Sequence, residues 1–267
     1  MKSLPAQSVF LGRDWLLYTG TPGDFNRSEM ISPGLISGRP ETGFSISIDG
    51  FPRLDAPILV HRSGFWGDGK GASVAVLYFD ALSIEGLAIQ NYTSAKCPCI
   101  PWQIPDSHLA ATNDVFKQLD ISQETVFNYV AACRKLIRER LTCHVETNTR
   151  LQQVANIIAN DPSGRLDLSQ LSHVVGISSD HLRQQFKLVT GMTLSRYQMW
   201  HRLRLMASQA CFDYVKAGIV DANNIIHGAG FFDTSHGGRA IRRYFGLAAS
   251  SVEDKFVRYL DCRALTC

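Results

Sequence analysis

Basic side chains concentrated in the second half of the chain are the groups best suited to act on a partner. Residues 147–267 hold 14 basic and 9 acidic residues, a net of +5, whereas residues 1–146 hold 13 basic and 15 acidic residues, a net of −2. Arg183 and the pair Arg242-Arg243 lie in the basic half. A guanidinium can form two parallel hydrogen bonds with a guanine edge or a phosphate. The division permits a polyanionic partner without proving one, because net charge bears on association rather than fold.

Cysteine and histidine side chains offer little metal or redox chemistry by their spacing. The cysteine count of seven is odd, and Arg13 and Asp14 interrupt the apolar run near the start, where a signal peptide would be apolar. We therefore expect reduced thiols in a cytoplasmic protein. No second ligand pair follows Cys97-Pro98-Cys99, so we predict no metal site and no cofactor. No apolar run is long enough for a transmembrane helix, and we expect no membrane partner.

The first of two composition regimes predicts strands. The chain has 267 residues, of which 45% are hydrophobic, enough for a sizeable core. Phe44–Ile48 alternates apolar and polar residues, and Ala56–Val60 and Ala72–Phe79 are further strand candidates. The glycine-rich Gly64–Gly71 is interpreted as a connection, and Cys97–Pro105 as an irregular linker. Short strands with glycine-rich turns favour a small sandwich or barrel.

Beyond Pro105 the apolar period changes to that of a helix. Apolar residues recur every three or four positions in the segment 122–142, the pattern of an amphipathic helix. Two interpretations of this stripe stay open. It can pack on its own domain, or it can form the seam of a homodimer with a second copy of the helix.

Helix signals continue almost throughout from residue 148. Asp167 or Ser169 can cap a short helix, Gly176 supplies a turn, and Ser178 or Ser179 can cap the helix that follows. Two short helices joined in this way make a helix-turn-helix.

The same pattern recurs about fifty residues later in the sequence. Asp221–Ala229 forms a short helix, Gly230 starts a turn, and Asp233 can cap Thr234–Phe245. A continuous helical stretch from Thr193 to about Val215 joins the two units. Two units arranged in this way would present two reading helices about one DNA turn apart.

Residues 149–254 resemble the DNA-binding domain of the AraC/XylS family of bacterial transcription regulators. In the first unit the resemblance rests on Leu168 through Ser178, His181-Leu182-Arg183, Phe186-Lys187 and Thr190-Gly191, and in the second on Gly230-Phe231, Asp233, Ser235-His236, Arg239-Ala240 and Arg242 through Gly246. The N-terminal part is similar, more loosely, to the cupin-like β domains that precede this domain in many family members.

The resemblance implies an α+β two-domain fold. A small cupin-like β barrel or sandwich would occupy residues 1–105, and helical connector and dimerisation helices residues 106–146. An all-α domain with two helix-turn-helix units joined by a long helix would occupy residues 147–267.

Two departures from the family pattern fall in the second unit. Gly237-Gly238 stands where the family usually has a bulky aromatic residue, and Ile226 stands where it prefers a small one. Glycine costs a helix about 1 kcal/mol relative to alanine. We therefore expect the second reading helix to be less stable, or less specific for DNA, than the first.

The resemblance also implies which side chains face DNA. These are Ser179, Asp180, Arg183, Gln184 and Lys187 in the first reading helix, and Thr234, Ser235, Gly238, Arg239, Arg242 and Arg243 in the second. Arg183 suits guanine and Gln184 suits adenine. Arg242 and Arg243, near the end of the helix, suit phosphate. Leu182, Phe186, Ile241 and Phe245 are expected in the core.

Candidate ligand residues of the β domain are selected by residue type alone. They are Arg39, His61, Arg62, Trp66 and Tyr78. A metal-dependent cupin enzyme needs several histidine and carboxylate ligands, and the sequence has no H-x-H pair. We therefore predict that the protein is not an enzyme.

The resulting expectation is a sequence-specific transcription regulator that binds double-stranded DNA. By resemblance it would be an activator rather than a repressor, would contact RNA polymerase, and would form a homodimer through the 122–142 helix. Its β domain would sense a small-molecule effector. The alternatives are a β domain that serves only protein interaction and a cupin-type enzyme fused to a DNA-binding module.

Overall fold

The computed structural model of the chain describes residues 6–21, 25–117, 121–141, 148–246 and 257–264. It confirms an N-terminal region made mostly of strands and a C-terminal region made mostly of helices. The N-terminal elements are β1 (Ala6–Leu11), β2 (Trp15–Thr21), β3 (Phe25–Glu29), β4 (Gly34–Gly38), β5 (Phe44–Ile48), β6 (Leu54–Ala56), β7 (Ile58–His61), β8 (Trp66–Lys70), β9 (Val74–Phe79), α1 (Ile84–Tyr92), β10 (Cys99–Trp102), α2 (Asp106–Lys117) and α3 (Gln123–Arg140).

The C-terminal helices begin at α4 (Thr149–Asn160) and include both predicted helix-turn-helix units. They continue as α5 (Leu168–Val175), α6 (Ser179–Thr190), α7 (Leu194–Ala217), α8 (Ala222–Gly228) and α9 (Thr234–Phe245), and a last strand, β11 (Val257–Asp261), follows. The side chains of Asp167, Ser178, Asp221 and Asp233 cap α5, α6, α8 and α9 respectively. Asp233 is thereby confirmed as a predicted cap, and Asp167 and Ser178 are the members of their two predicted pairs that form the cap, because a cap depends only on residues within one turn.

The N-terminal strands form two sheets. The larger has the order β10-β7-β4-β9-β2-β1-β11, and the smaller has the order β3-β8-β5-β6. Strand β5 is confirmed where the alternation of Phe44–Ile48 predicted it. Apolar side chains of both sheets, such as Ile36 and Ile46, share one core cluster with the C-terminal helices.

The interpretation of Gly64–Gly71 as a connection was wrong, because Trp66–Lys70 forms β8 and pairs with β3 and β5. Gly69 is buried, and a Cβ there would lie 2.2 Å from the Phe25 ring. Phe25 and Phe44 stack at 5.7 Å between ring centroids. The glycine therefore belongs to a strand whose bare backbone makes room for two aromatic rings.

The prediction of an irregular linker over Cys97–Pro105 was also wrong in part. Cys99–Trp102 forms β10, which pairs with β7 at the edge of the larger sheet. Pro101 is compatible with this position, because an edge strand has one side without ladder hydrogen bonds.

The chain returns to its N-terminal sheet at its end. Strand β11 runs parallel to β1, with Gln7 opposite Val257 and Leu11 opposite Asp261. The expectation of an all-helical segment over 147–267 missed this strand. In space, the larger sheet therefore includes residues from both ends of the sequence.

Helix α3 confirms the predicted helix of segment 122–142. Its contacts also decide between the two interpretations of its apolar stripe. Its apolar side chains Val126, Tyr129, Val130, Cys133, Leu136 and Ile137 are all buried. They belong to a core cluster with β-strand residues of the same chain, and Tyr129 donates a hydrogen bond to Ser37 Oγ at 2.8 Å. The stripe packs on its own domain, so a homodimer could not use it as a seam.

Candidate nucleic-acid interface

The first predicted reading helix, α6, is anchored by one face only. Leu182 and Phe186 are buried, and the Phe186 ring packs edge-on against Tyr197 of α7. The hydroxyl groups of Ser172 and Ser179 lie 3.1 Å apart and join α5 to the start of α6. The small serine at 172 lets the two helices approach closely.

The opposite face of α6 points to solvent and carries the predicted reading residues. Asp180, Arg183, Gln184 and Lys187 are exposed, while Ser179 is half-buried. Arg183 Nη1 donates to Asp180 Oδ1 at 2.9 Å. An ion pair between two exposed side chains contributes little. The Arg183 guanidinium can therefore exchange Asp180 for a base edge at small cost.

The second reading helix, α9, has a similar layout but a different surrounding. Three isoleucines are buried in this unit: Ile225 and Ile226 of α8 and Ile241 of α9. Ser235, Arg239 and Arg242 are exposed, and Thr234 and Gly238 are half-buried. Thr234 Oγ1 donates to Asn223 Oδ1 at 2.8 Å. Phe245, expected in the core, is only half-buried.

The two departures from the family pattern compensate each other. Ile226 is completely buried, and a Cβ added to the buried Gly237 would lie 2.4 Å from Ile226 Cγ2. The large side chain of α8 therefore occupies the space that the glycine of α9 leaves open. Each residue alone suggests a loss of packing, and only their contact shows that the pair fills the core.

Helix α9 packs against β3, where a buried carboxylate holds its basic end. Glu29 is 1% exposed, and its Oε2 accepts a hydrogen bond from Arg243 Nε at 2.6 Å. Its Oε1 pairs with Arg196, in the first turn of α7. We call these three residues the Glu29 clamp. The hydrogen bond to Glu29 raises the pKa of Arg243, so Arg243 stays positively charged.

Trp66 adds an aromatic contact to the clamp. The Arg243 guanidinium lies over the Trp66 ring, 5.4 Å from its centroid, and Arg27 lies over the same ring at 5.6 Å. Cation–π contacts of this kind favour a guanidinium that is partly removed from water. Arg243, predicted to contact phosphate, is therefore bound to the N-terminal region in this arrangement.

Helix α7 supplies a second set of polar contacts to the N-terminal region. Tyr197 donates to Asp80 at 3.0 Å, His201 Nε2 lies 3.3 Å from the same carboxylate, and Arg204 donates to the carbonyl of Gly12 at 2.8 Å. Burial acts to raise the pKa of Asp80, but His201, the Leu82 N–H and Arg204 together outweigh burial, and the pKa lies below its usual value. The carboxylate is therefore charged at neutral pH.

The five ligand candidates of the β region do not meet in one pocket. His61 and Tyr78 are core residues with rings 5.7 Å apart, and burial lowers the pKa of His61 to about 4, so the imidazole is neutral. Arg39 donates to Ser73 Oγ at 3.2 Å and to the carbonyl of Phe116. Arg62 and Trp66 alone line a common groove.

An apolar cavity that the sequence does not predict lies between the two regions. It measures about 70 Å³ and is lined from the sheet by residues such as Leu16 and Tyr18 and from the helices by Met206 and Ile241. Nothing in the spacing of these residues sets them apart from other core positions. Their convergence depends on how the helices dock on the sheet.

Comparison of the chain with known proteins shows its fold. No protein-family model and no curated protein sequence matches it at a significant level. Its structure matches that of an apo variant of ToxT, an AraC-family protein from Vibrio cholerae, with a TM-score of 0.59 and 10% identity over 90% of this chain and 97% of ToxT. The chain has the ToxT fold. The two-domain architecture that the resemblance implied is thereby confirmed.

Other ToxT structures match over a similar extent. ToxT from Vibrio cholerae at 1.65 Å resolution gives a TM-score of 0.56 with 11% identity, over 90% of this chain and 98% of that one. ToxT bound to an unsaturated fatty acid gives 0.54 with 11% identity, over 93% of each chain. The ToxT-like fold therefore extends over both regions of this chain.

The described residues contain neither a membrane-spanning helix nor a cluster of metal ligands. Within these ranges no helix is long and apolar enough to cross a bilayer. The same ranges contain no group of three or more His, Cys, Asp and Glu side chains that could hold a metal ion.

Proposed function

We propose that this protein is a sequence-specific transcription regulator that binds double-stranded DNA in the cytoplasm. The observation that carries the proposal is the outward face of α6, where Arg183, Gln184 and Lys187 are exposed on a helix anchored by its opposite side. A second unit of the same design, α8–α9, follows on the long helix α7. The ToxT-like fold supports the proposal.

In this proposal α6 enters the major groove. Arg183 leaves Asp180 and pairs with guanine, Gln184 pairs with adenine, and Lys187 contacts phosphate. Helix α9 presents Ser235, Arg239 and Arg242 to a neighbouring groove, and Thr234 and Gly238 lie at its half-buried margin. The first helix thus supplies the base recognition, and the second adds mainly phosphate contacts.

The Glu29 clamp limits what α9 can contribute. Arg243 must exchange Glu29 for a phosphate before it can touch DNA. A phosphate offers the same bidentate geometry as a carboxylate, so DNA competes directly with Glu29 for this guanidinium. The closed arrangement therefore weakens DNA binding by the second unit, and its release strengthens it.

The N-terminal region is proposed to sense a small effector. ToxT has been solved with an unsaturated fatty acid and with (E)-4-(8-methylnaphthalen-1-yl)but-3-enoic acid, which supports a sensing role for the shared architecture. A region used only for protein interaction remains the alternative. The activator role, contact with RNA polymerase and a homodimer stay predictions from the resemblance. A homodimer that uses α3 would have to use its polar face.

Selection of genomic fragments by the purified full-length chain tests the proposal. The full chain is required because β11 completes the larger sheet. We expect enrichment of a defined operator, with an affinity that falls as salt rises. Arg183→Ala should relax the preference at one position of that operator, whereas Arg150→Ala, which removes an exposed arginine from α4, should leave the preference unchanged. The absence of salt-dependent binding to any duplex would overturn the proposal.

A further inference from the structure

A groove at the junction of the two regions has the size of a small-molecule site. It measures about 360 Å³ and is bordered on the N-terminal side by Phe51, Arg62 and Trp66 and on the C-terminal side by Gly191 and Arg196. Sites for small organic ligands have volumes of about 300 Å³ or more, so the apolar cavity of about 70 Å³ is too small for such a ligand. The groove is therefore the better candidate for an effector.

The charges around the groove leave one cation uncompensated. Arg196 pairs with Glu29, and Asp49 pairs with Arg27. Among the described residues Arg62 has no hydrogen-bond or ion-pair partner for its guanidinium, although its side chain is half-buried. A cation partly removed from water and left unpaired is costly, and a single negative charge on a ligand would compensate it.

A buried hydroxyl beside Arg62 points to the same conclusion. Ser63 also lines the groove, is 4% exposed, and its Oγ has no hydrogen-bond partner in the described part of the chain. Buried polar atoms in proteins are nearly always paired. The hydroxyl and the guanidinium are therefore neighbouring donors without acceptors.

We propose that this groove binds a small aromatic carboxylate as the effector, an inference that rests on the proposed function and names its ligand class. The single negative charge of the carboxylate matches the one unpaired cation, Arg62. The carboxylate oxygens accept hydrogen bonds from Arg62 and Ser63. Phe51, 37% exposed, and Phe65 provide apolar walls for a flat ring. Neutral sugars would leave the Arg62 charge unpaired, and phosphorylated ligands would bring a second charge.

The position of the groove connects occupancy to the reading helices. Gly191 ends α6, Arg196 belongs to the Glu29 clamp, and the Trp66 ring lies under Arg243. A carboxylate bound beside Arg196 competes with Glu29 for this guanidinium. Because Glu29 would then keep Arg243 as its remaining partner in the clamp, the ligand changes the charge balance at the contact that holds α9 against β3.

Calorimetric titration of the full-length chain with cinnamate and benzoate tests the site, with cinnamamide as the neutral probe. We expect cinnamate to bind, and cinnamamide to bind about tenfold more weakly or worse, because it cannot form charge-assisted hydrogen bonds. Arg62→Gln should weaken cinnamate binding by about tenfold or more, and Arg62→Lys by less. Arg53→Gln, at an exposed arginine paired with Asp55, is the matched control and should change nothing.

Ser63→Ala provides a second variant that only removes an oxygen atom and should weaken cinnamate binding a few-fold, with circular dichroism confirming its fold. Failure of both carboxylates to bind, equal binding of cinnamamide, or unchanged binding by Arg62→Gln would overturn the inference. If the same preparation still selects an operator, only the groove assignment fails. If cinnamate binds through Arg62 but no duplex is bound, the proposed DNA-binding function fails and the ligand site stands.

Discussion

The two reading helices follow the same local design but differ in what surrounds them. Helix α6 rests on α5 and α7, also contacts α1 of the N-terminal region, and turns a mainly polar face to solvent. Helix α9 packs against β3 and has its basic end held by Glu29. Both begin at a capping side chain and end at a glycine in the left-handed conformation. Local structure therefore makes two similar helices, and their contacts with the N-terminal region differ.

The comparison also separates two kinds of stabilisation. Helix α6 is anchored by an aromatic residue, Phe186, in a conventional apolar core. Helix α9 depends on the fit of Ile226 into the space above Gly237 and on an ion-pair cluster that spans 214 residues of sequence between Glu29 and Arg243. The second helix is therefore more sensitive to changes elsewhere in the chain.

The largest expected effect comes from filling the space above α9. Gly237→Ala places a Cβ 2.4 Å from Ile226 Cγ2. The clash should lower the free energy of unfolding by about 1–3 kcal/mol, although alanine is the better helix former. Thermal and urea unfolding measure the change. Gly228→Ala is the control, because nothing lies within 4 Å of a Cβ there, and it should be neutral or stabilising.

A double variant sharpens this prediction. Ile226→Ala removes the atoms that Gly237→Ala would meet, so the two substitutions together should cost less than the sum of their separate effects. Additive losses would show that the two residues do not share the space, and the compensation described above would then be wrong.

A smaller effect is expected when the clamp loses its charge. Glu29→Gln keeps the shape of the side chain but removes the negative charge between Arg196 and Arg243. We expect a loss of about 1–2 kcal/mol of stability, below the usual value for a buried pair because the arginine side chains are 25% and 50% exposed. Operator affinity should rise a few-fold, because Arg243 becomes free for phosphate.

Glu85→Gln is the matched control for the clamp. Glu85 is similarly buried, and its Oε1 lies 3.0 Å from Arg138 Nη2, but this pair joins α1 to α3 and does not touch α9. Its loss should cost similar stability without raising operator affinity. Equal gains in DNA binding by both variants would show that general loosening, and not release of Arg243, is responsible.

Removal of Arg183 from α6 should have an effect comparable to, or smaller than, that of Glu29→Gln. Arg183→Ala should remove about 1–2 kcal/mol of discrimination at one base pair while leaving affinity for unrelated duplexes nearly unchanged. Binding to a library randomised at each operator position measures this. Similar losses on every sequence would indicate that Arg183 contacts only the backbone.

The smallest effect separates the neighbouring arginines at the end of α9. Arg242 is exposed and has no ion-pair partner among the described residues, so Arg242→Ala should reduce the slope of log affinity against log salt by about one. In the wild-type background, Arg243→Ala should change this slope less than Arg242→Ala does. In the Glu29→Gln background, Arg243→Ala should change the slope by about as much as Arg242→Ala does. Equal slopes for Arg242→Ala and Arg243→Ala in the wild-type background would contradict the clamp.

Much of the C-terminal region could be predicted from sequence because its signals are local. Asp167, Ser178, Asp221 and Asp233 mark the helix starts, and Gly176, Gly191 and Gly246 lie in the left-handed turns. Caps and glycine turns act within about one helical turn, so the residues that form them are adjacent in the sequence. The exposed face of α6 follows from the same periodicity.

Strands with unusual composition could not be predicted in the same way. Gly67 and Gly69 in β8 suggest a flexible connection until Phe25 and Phe44 are placed over Gly69. Pro101 in β10 argues against a strand until its edge position is known. Strand β11 finds its partner β1 almost the whole chain length away. In each case a distant neighbour supplies the reason for the structure.

The sequence by itself determined two helix-turn-helix units, their caps, and a basic set of side chains on their outer faces. Only the tertiary structure decided that α3 buries its apolar stripe, that Ile226 and Gly237 form one packing unit, and that Glu29 binds Arg243. The physical reason is the separation along the sequence between the residues that interact. Caps and helical periodicity are interactions between near neighbours in sequence, whereas burial, cavity shape and ion pairing depend on residues that meet only after the helices dock on the sheet.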